Sequence, residues 1–351
     1  MLHRFRILHV LFTSRLAGSE RYCIDLANEQ AALGHDVRVV GRAGAPIAAL
    51  LSDNVTYHGF RTPFLRGLKL RRLIAATPID VCHAHLSPAC KAVAKAPDTV
   101  AKIATLHVGY KARQHARMDG LICVNNAQLA RLNGYAGQAR LVSNWLPESA
   151  HGEACDLRAE LDLPAETTLV GAVGRLHPSK GQDVLISAFL RSAPQDAALD
   201  RAALTKLAAG DPRVHLLGHR DNVSGFLRNL DLFISPSREE TFGLAILEAM
   251  QEGLPIIATA TEGPSEYLRN YPVTLVQPGS VDDLSAALST TFRSDRVVSA
   301  PRMDYDLRPF FRSNGVANVL EFYAQVAERL QQRTARPPHI SGLPLTDASK
   351  A

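Results

Sequence analysis

The stretch Ser235 to Gly253, SPSREETFGLAILEAMQEG, constrains the fold more than any other part of this chain. The apolar run Leu232-Phe233-Ile234 precedes it and ends at Ser235-Pro236, as a short buried strand does. Phe242-Gly243-Leu244 reads as the mouth of a helix. Ala245–Met250 form its body, Gly253 stops it and Pro255 bars continuation. Leu244, Ala245, Ile246, Leu247, Ala249 and Met250 are apolar nearly all round, so the helix is expected to be mostly buried. Glu248 lies inside it. A buried carboxylate costs several kcal/mol unless it is paired or hydrogen-bonded. A helix N-terminus attracts phosphate through free N–H groups and partial positive charge. A carboxylate one turn further in is placed to hold the hydroxyls of a sugar joined to that phosphate. The other role open to Glu248 is an ion pair with a nearby arginine that only fixes the packing.

The same strand–loop–helix unit recurs along the chain. Ile7–Phe12 is a strand candidate, followed by a loop to Gly18 and a helix Ser19–Leu33, with Ser19 as its cap and Gly34 as its stop. Strand Val37–Val40 completes a β-α-β unit with a right-handed crossover. Val55–His58, Val81–Ala84, Val100–Leu106 and Gly120–Val124 continue the alternation expected of an open α/β sheet. A second start follows Pro147. After a short helix, Leu157–Leu161, come strands Leu169–Val173, Val214–Leu217, Leu232–Ile234, Pro255–Ala258 and Val273–Val276, with helix Gln182–Leu190 after the first. Asn314–Gln332 is a long amphipathic helix. The expected division is an N-terminal domain over 1–150, a second Rossmann-like domain over 151–312, a helix over 313–333 and a disordered tail over 334–351. Ligands of such sheets bind at the carboxyl ends of the strands, here in the cleft between two halves.

Charge is divided unevenly. Residues 1–150 hold 19 Lys and Arg against 9 Asp and Glu, and the remainder hold 20 against 25, so the first half is expected to meet something anionic. No run approaches the about 18 apolar residues of a membrane span. MLHRFRILHVLF is basic then apolar, but Ile7–Phe12 is too short for a signal-peptide core and contains His9. Cys23, Cys82, Cys90, Cys123 and Cys155 form no CxxC pair and fit reduced thiols of a cytoplasmic protein, with Cys82 and Cys90 expected to be buried.

The loop Gly174-Arg175-Leu176-His177-Pro178-Ser179-Lys180-Gly181 lies between a strand and a helix. It sets two cations about a helix mouth, which suits a diphosphate; an ordinary solvated loop is the alternative. It lacks the GxxxxGK[ST] order of a P-loop, and no GxGxxG is present, which disfavours a nicotinamide dehydrogenase. No Ser-His-Asp or paired-carboxylate hydrolase arrangement stands out. Asp304-Tyr305-Asp306 is a D-x-D outside any strand–loop context and is read as accidental. His83 and His85 share a strand face without a visible third metal ligand and are read as packing.

Gly174 to Gly181, with four residues between Arg175 and Lys180, resembles the Gly-Arg…Lys loop of the family-4 retaining glycosyltransferases of the GT-B fold. Pro236 to Pro255, with Glu240, Phe242, Gly243 and Glu248 in place, resembles their E-x7-E motif. Gly18-Ser19-Glu20-Arg21, Asp80 to His85 and Thr105-Leu106-His107 resemble their N-domain pieces, and the likeness spans about residues 5–330. It implies two Rossmann-like domains facing across a cleft, with a C-terminal helix crossing back to the first. It also implies that Arg175 and Lys180 hold the diphosphate of a nucleotide sugar, while Glu248 bonds the ribose. Glu240, with the backbone at Phe242 and Gly243, would take the sugar hydroxyls, and the Leu244 N–H would help the phosphate. Gly18 would let the N-domain loop approach the donor, Gly218 would lie where the base is received, and His107 would lie near the reacting centre. The catalytic set so implied is His107, Arg175, Lys180 and Glu240, with no cofactor and no catalytic metal. Ala17 for the first glycine of the donor loop, Asn125 for a serine, and Asn144-Trp145-Leu146-Pro147 at the hinge depart from the pattern; the hinge is expected to be stiffer.

Two basic clusters lie in the N-terminal half. One contains Arg66, Lys69, Arg71 and Arg72 interleaved with Phe64, Leu65 and Leu68; the other contains Lys111 and Arg113. They fit either contact with a phosphorylated, lipid-linked acceptor and the anionic inner membrane leaflet, or a plain solvated face. No base-stacking aromatics are interleaved with them, which disfavours nucleic acid. The expected activity is retaining transfer of a sugar from a nucleotide-diphosphate sugar to a glycan or lipid-linked acceptor hydroxyl, in lipopolysaccharide core or surface polysaccharide synthesis. A phosphorylase or nucleotide-sugar epimerase of the same fold, or a silent sugar-nucleotide-binding module, are the alternatives.

Overall fold

In the computed structural model, residues 4–147, 155–191, 207–208, 210–293 and 302–335 are described. The first half holds seven strands: β1 (Arg6–Val10), β2 (Asp36–Arg42), β3 (Val55–Phe60), β4 (Val81–His85), β5 (Ala101–Thr105), β6 (Gly120–Cys123) and β7 (Gln138–Leu141). They form one parallel sheet in the order β3-β2-β1-β4-β5-β6-β7. β1, β4, β5 and β6 are almost wholly buried, because helices cover both faces of the sheet. Among these helices are α1 (Gly18–Ala32), α2 (Arg66–Ala76), α3 (Leu86–Val93), α4 (Ala112–His115) and α5 (Asn126–Ala130). The strand order reverses between β1 and β4, where His9 stands opposite His83. That switch point is where an open sheet parts its loops to make a crevice.

The second half holds α6 (Leu157–Glu160), β8 (Val170–Gly171), α7 (Gln182–Phe189), α8 (Val223–Arg228), β9 (Leu232–Ser235), α9 (Leu244–Gln251), β10 (Ile256–Thr259), α10 (Glu262–Tyr267), β11 (Thr274–Val276) and α11 (Val281–Arg293). Its sheet is parallel with order β11-β10-β9-β8. Val214–Leu217, expected as a strand, pairs with nothing in this sheet. The expected strand Leu169–Val173 is ladder-bonded only at Val170–Gly171, against Leu232 and Phe233.

α12 (Arg312–Ala335) returns to the first half and outruns its expected limits of 313 and 333 at both ends. Val316, Val319, Phe322, Tyr323, Val326 and Leu330 recur at helical spacing and join one buried cluster with Ile7, Val37, Ile103 and Ile122. Each such side chain contributes about 1.5–3 kcal/mol by leaving water. Gly120 permits the contact, since a Cβ there would stand 2.8 Å from Val326 Cγ2. The tail beyond residue 335 lies outside the described residues.

The hinge is anchored. Trp145 is buried and stacks on Tyr22 at 4.2 Å, and its Nε1–H donates to Asp25 at 3.2 Å. A Cβ on Gly315 would meet the Trp145 ring at 2.4 Å, so only glycine lets α12 pass so closely. The Leu146 N–H donates to the Phe310 carbonyl at 2.9 Å. Four of the five cysteines are buried, and burial pushes the Cys82 and Cys90 thiols up to about 12.

Candidate active site between the two halves

The loops after β8 and β9 clasp each other. The Arg238 and Glu239 N–H groups donate to the Ser179 carbonyl at 2.8 and 3.1 Å. The Arg238 guanidinium donates to the Pro178 carbonyl at 2.9 Å and to Asp183, in the first turn of α7, at 2.7 Å. Gly181, at φ +64°, lies so near the Pro236 carbonyl that a Cβ would stand 2.1 Å from its oxygen. The strand-end loops therefore hold Lys180 and Glu240 together, and these two side chains form an ion pair. The pair departs from the sequence expectation, which gave the two groups separate ligands; either must turn from the other to take one. Arg175 is exposed and has no ion-pair partner among the described residues. Its carbonyl accepts from Gln182 at 2.8 Å.

Gly243, at φ +91°, turns the chain into α9. Phe242 is buried, stacked on Tyr267 at 5.3 Å, and its carbonyl accepts from the Tyr267 hydroxyl at 3.1 Å. This packing fixes the helix mouth at Leu244. One turn in, the Glu248 carboxylate makes no hydrogen bond or ion pair among the described residues. Desolvation raises its pKa to about 7, opposed by the charge of Arg21 on α1. The arginine expected under the packing alternative is thus near but unbonded. The carboxylate keeps its lone pairs for something else.

The N-terminal half meets this helix through α1. A Cβ on Gly18 would lie 3.2 Å from Leu244 Cδ1, so the glycine serves the approach of the two halves. Ser19 is not the cap of α1. Ala17 holds that position, with its N–H donating to Glu20 at 3.1 Å, and Ser19 Oγ donates to the same carboxylate at 2.9 Å. Further round the cleft, Asn125 Nδ2 donates to the Thr241 carbonyl at 2.7 Å. Glu266 accepts from the Asn126 and Ala127 N–H groups at the start of α5, and Arg131 pairs with Glu262 at 2.6 Å. None of these cross-cleft contacts was visible as a pattern in sequence.

His107 lies at the end of β5, half-buried, with its ring edge-on to Tyr22 at 5.1 Å. Tyr22, Arg21, Asn144 and Leu244 together line a small gap between the halves. Behind His107 stand His85, His9 and His83. The expected pair His83/His85 thus has a third neighbour, His9 from β1, and ring nitrogens of the three lie within 4.8 Å of one another. Each of these nitrogens already has a hydrogen-bonding partner: Gln30, His85, Thr105, Tyr323 or His107. The set is satisfied as a polar core.

Gly218, at φ +74°, opens onto a cavity of about 1150 Å³ that also touches Gly174, Arg175, Leu176 and Gln182. Lys180, Glu240 and Glu248 are not in its lining, so the expected donor residues do not share one cavity. The D-x-D segment is structural: the Tyr305 hydroxyl donates to the Leu254 carbonyl at 2.8 Å, and Asp306 pairs with Arg308. In the basic clusters, Arg66 lies over the Phe12 ring at 4.3 Å and Lys69 donates to Thr62 at 2.7 Å. Arg71, Arg72, Lys111 and Arg113 are exposed, and α3 packs against both α2 and α4 that carry the clusters. Phe64 and Leu65 are 76% and 69% exposed beside them.

Residues 16–146 match the profile of Glycosyltransferase Family 4, and residues 167–294 match that of glycosyl transferases group 1. The lipopolysaccharide core biosynthesis mannosyltransferase LpsB of Rhizobium meliloti (strain 1021) is 25% identical over 81% of this chain and 86% of its own length. The lipopolysaccharide core biosynthesis glycosyltransferase LpsE of the same organism is 32% identical over 43% of this chain; the match spans 47% of LpsE, about half its length. The crystal structure of Anabaena Alr3699/HepE in complex with UDP and glucose superposes with a TM-score of 0.67 at 19% identity, covering 95% of this chain and all of that one. With two parallel sheets, strand-end loops meeting across their cleft and both family profiles in order, the chain belongs to the family-4, group-1 glycosyltransferases of the GT-B fold.

Proposed function

We propose that this glycosyltransferase moves a sugar from a nucleotide-diphosphate sugar to a hydroxyl of a glycan or lipid-linked acceptor, with retention at the anomeric carbon. The observation that carries the reading is Glu248: a desolvated, unbonded carboxylate one turn inside a helix that begins just after Glu240, the ion-pair partner of Lys180. Arg175 and Lys180 would neutralise the diphosphate, aided by the α9 N-terminus, and so stabilise the leaving group. Glu248 would accept from the ribose hydroxyls. Glu240 and the backbone of Phe242 and Gly243 would hold the donor sugar, releasing Lys180 to the phosphate. Gly218 would sit by the base, and His107 by the anomeric centre. No side chain stands out as a nucleophile, so front-face attack fits, with the acceptor proton passing to the departing phosphate. The domain division at 150 and 312 serves this reading: the first half presents the acceptor, the second the donor.

LpsB and LpsE act in lipopolysaccharide core synthesis, which supports the same pathway class here. The exposed Phe64 and Leu65 beside Arg71 and Arg72 support peripheral docking on an anionic leaflet. No described helix is long and apolar enough to cross a membrane.

A thermal-shift screen over UDP, GDP and ADP and their sugars tests the donor. A ligand held by the folded state alone raises the midpoint, by about 2.7 kcal/mol of stability at a hundred times its Kd. No shift with any of them, and no hydrolysis of any nucleotide sugar, would defeat the reading. For the membrane, flotation with vesicles containing or lacking anionic lipid should recover the protein only with the former and lose it in high salt.

A further inference from the structure

Three buried polar side chains and the half-buried His107 run in single file behind the proposed reaction centre. Gln30 Oε1 lies 2.8 Å from His9 Nε2, His9 Nδ1 lies 3.1 Å from His85 Nε2, and His85 Nδ1 lies 3.2 Å from His107 Nε2. Gln30, His9 and His85 are fully buried. His107 closes the row at the cleft; its Nδ1 has no protein partner among the described residues.

We propose that Gln30, His9 and His85 are positioning residues that fix the tautomer of His107, so that it presents the lone pair of Nδ1 to the cleft. An amide oxygen only accepts, so His9 must carry its hydrogen on Nε2. A neutral imidazole has one N–H, so His9 Nδ1 accepts and His85 must donate from Nε2. By the same rule His85 Nδ1 accepts from His107 Nε2–H. The rings have to be neutral for this logic to hold. Burial ensures it, pushing His9 and His107 down to about 4, and His83 and His85 well below the ordinary range.

The direction of the row is set at its inner end. The Gln30 amide nitrogen is turned toward the Tyr323 hydroxyl, though it closes no hydrogen bond of its own. That hydroxyl lies 2.6 Å from His83 Nδ1. A reversed amide would reverse every N–H in the row and give His107 an outward donor. The outward acceptor suits a sugar hydroxyl, which can donate to a neutral, preoriented nitrogen without a charge being buried. The proposal rests on His107 facing the reacting sugar, and its test does not.

The experiment is a long-range proton–nitrogen spectrum of the protein labelled with ¹⁵N-histidine at pH 7.5, with His107→Gln identifying that ring. The expected result is a single Nε2–H form for His9, His85 and His107. An Nδ1–H form of His107 would overturn the proposal. Gln30→Leu removes the anchoring acceptor and should turn the single His107 form into a mixture, whereas Gln30→Glu keeps an oxygen there and should restore it. An unmixed Nε2–H form in Gln30→Leu would remove Gln30 from its role. Should Gln30→Leu and Gln30→Glu fail to fold, the wild-type spectrum, with its His107 ring identified through His107→Gln, decides. If His107→Gln turned over donor like the wild type, the placement of His107 at the reacting centre would fall while the tautomer result stood.

Discussion

Glu248 offers the sharpest quantitative test, because function and stability pull it in opposite directions. Its pKa rises from 4.5 to about 7 on folding, chiefly through desolvation. A raised carboxyl means the folded state holds a proton that the unfolded chain has lost. Stability is therefore complete below pH 4.5 and falls as pH rises through about 7. At about 1.36 kcal/mol per unit, the carboxylate costs on the order of 3 kcal/mol at pH 8. Glu248→Gln keeps the shape and removes the charge. At pH 8 it should raise the thermal midpoint by on the order of 5–10 °C, since 1 kcal/mol moves a domain of this size by about 2–4 °C. At pH 5 the two proteins should melt within a few degrees of each other. Differential scanning fluorimetry across pH 4.5–8.5 reads both.

The same variant should lose the shift that the best nucleotide diphosphate gives to the wild type, because an amide is the weaker acceptor for two ribose hydroxyls. In the wild type, that ligand's affinity should fall as pH drops below about 7 and Glu248 gains its proton. A Glu248→Gln protein that melted lower than wild type at pH 8 would refute the reasoning. It would mean the carboxylate holds the fold together, as it would if Arg21 were its true partner.

Other perturbations test the remaining parts of the site. Lys180→Ala should cost about 2–4 kcal/mol in kcat/KM for the donor, as loss of one charged transition-state contact does, and near-normal turnover would remove Lys180 from the phosphate site. Gly18→Val places a branched side chain where a Cβ already lies 3.2 Å from Leu244, so donor affinity should drop by about tenfold, and Leu244→Ala in the same protein should restore much of it. Additive losses in that pair would show that the two residues do not meet. Glu266→Ala strips the acceptors from Asn126 and Ala127 and should weaken the closed arrangement by about 1–2 kcal/mol. Small-angle scattering should then report a larger radius of gyration, and an unchanged one would show that Glu266 does not hold the halves together.

The residues that sequence reading placed well are those whose signal is local. Leu232–Ser235 and Ile256–Thr259 are short, mostly apolar runs bounded by turn residues, as strands buried on both faces are. β7 escaped notice because QARL alternates with exposed residues at a sheet edge, where nothing demands an apolar run. The loop motifs located Lys180 and Glu240, yet their mutual ion pair was invisible, since it joins positions 60 apart through the clasp of two loops. His9 was missed as a neighbour of His83 for the same reason: strand register, and not spacing along the chain, puts them side by side.

That division between local and non-local signal bears on how the site works. The proposed donor-side side chains come from the second half, and contacts with the first half reach several of them. Arg21 tempers the charge on Glu248, Gly18 admits Leu244, and Glu266 reaches over to cap α5. Were the halves to separate, Glu248 would lose the charge of Arg21, which favours its ionised form. Closure therefore favours the ionised carboxylate, and a donor that supplies two hydroxyl hydrogens to it should favour it further. Donor binding and closing should then support each other, which couples the assembled site to the presence of the donor.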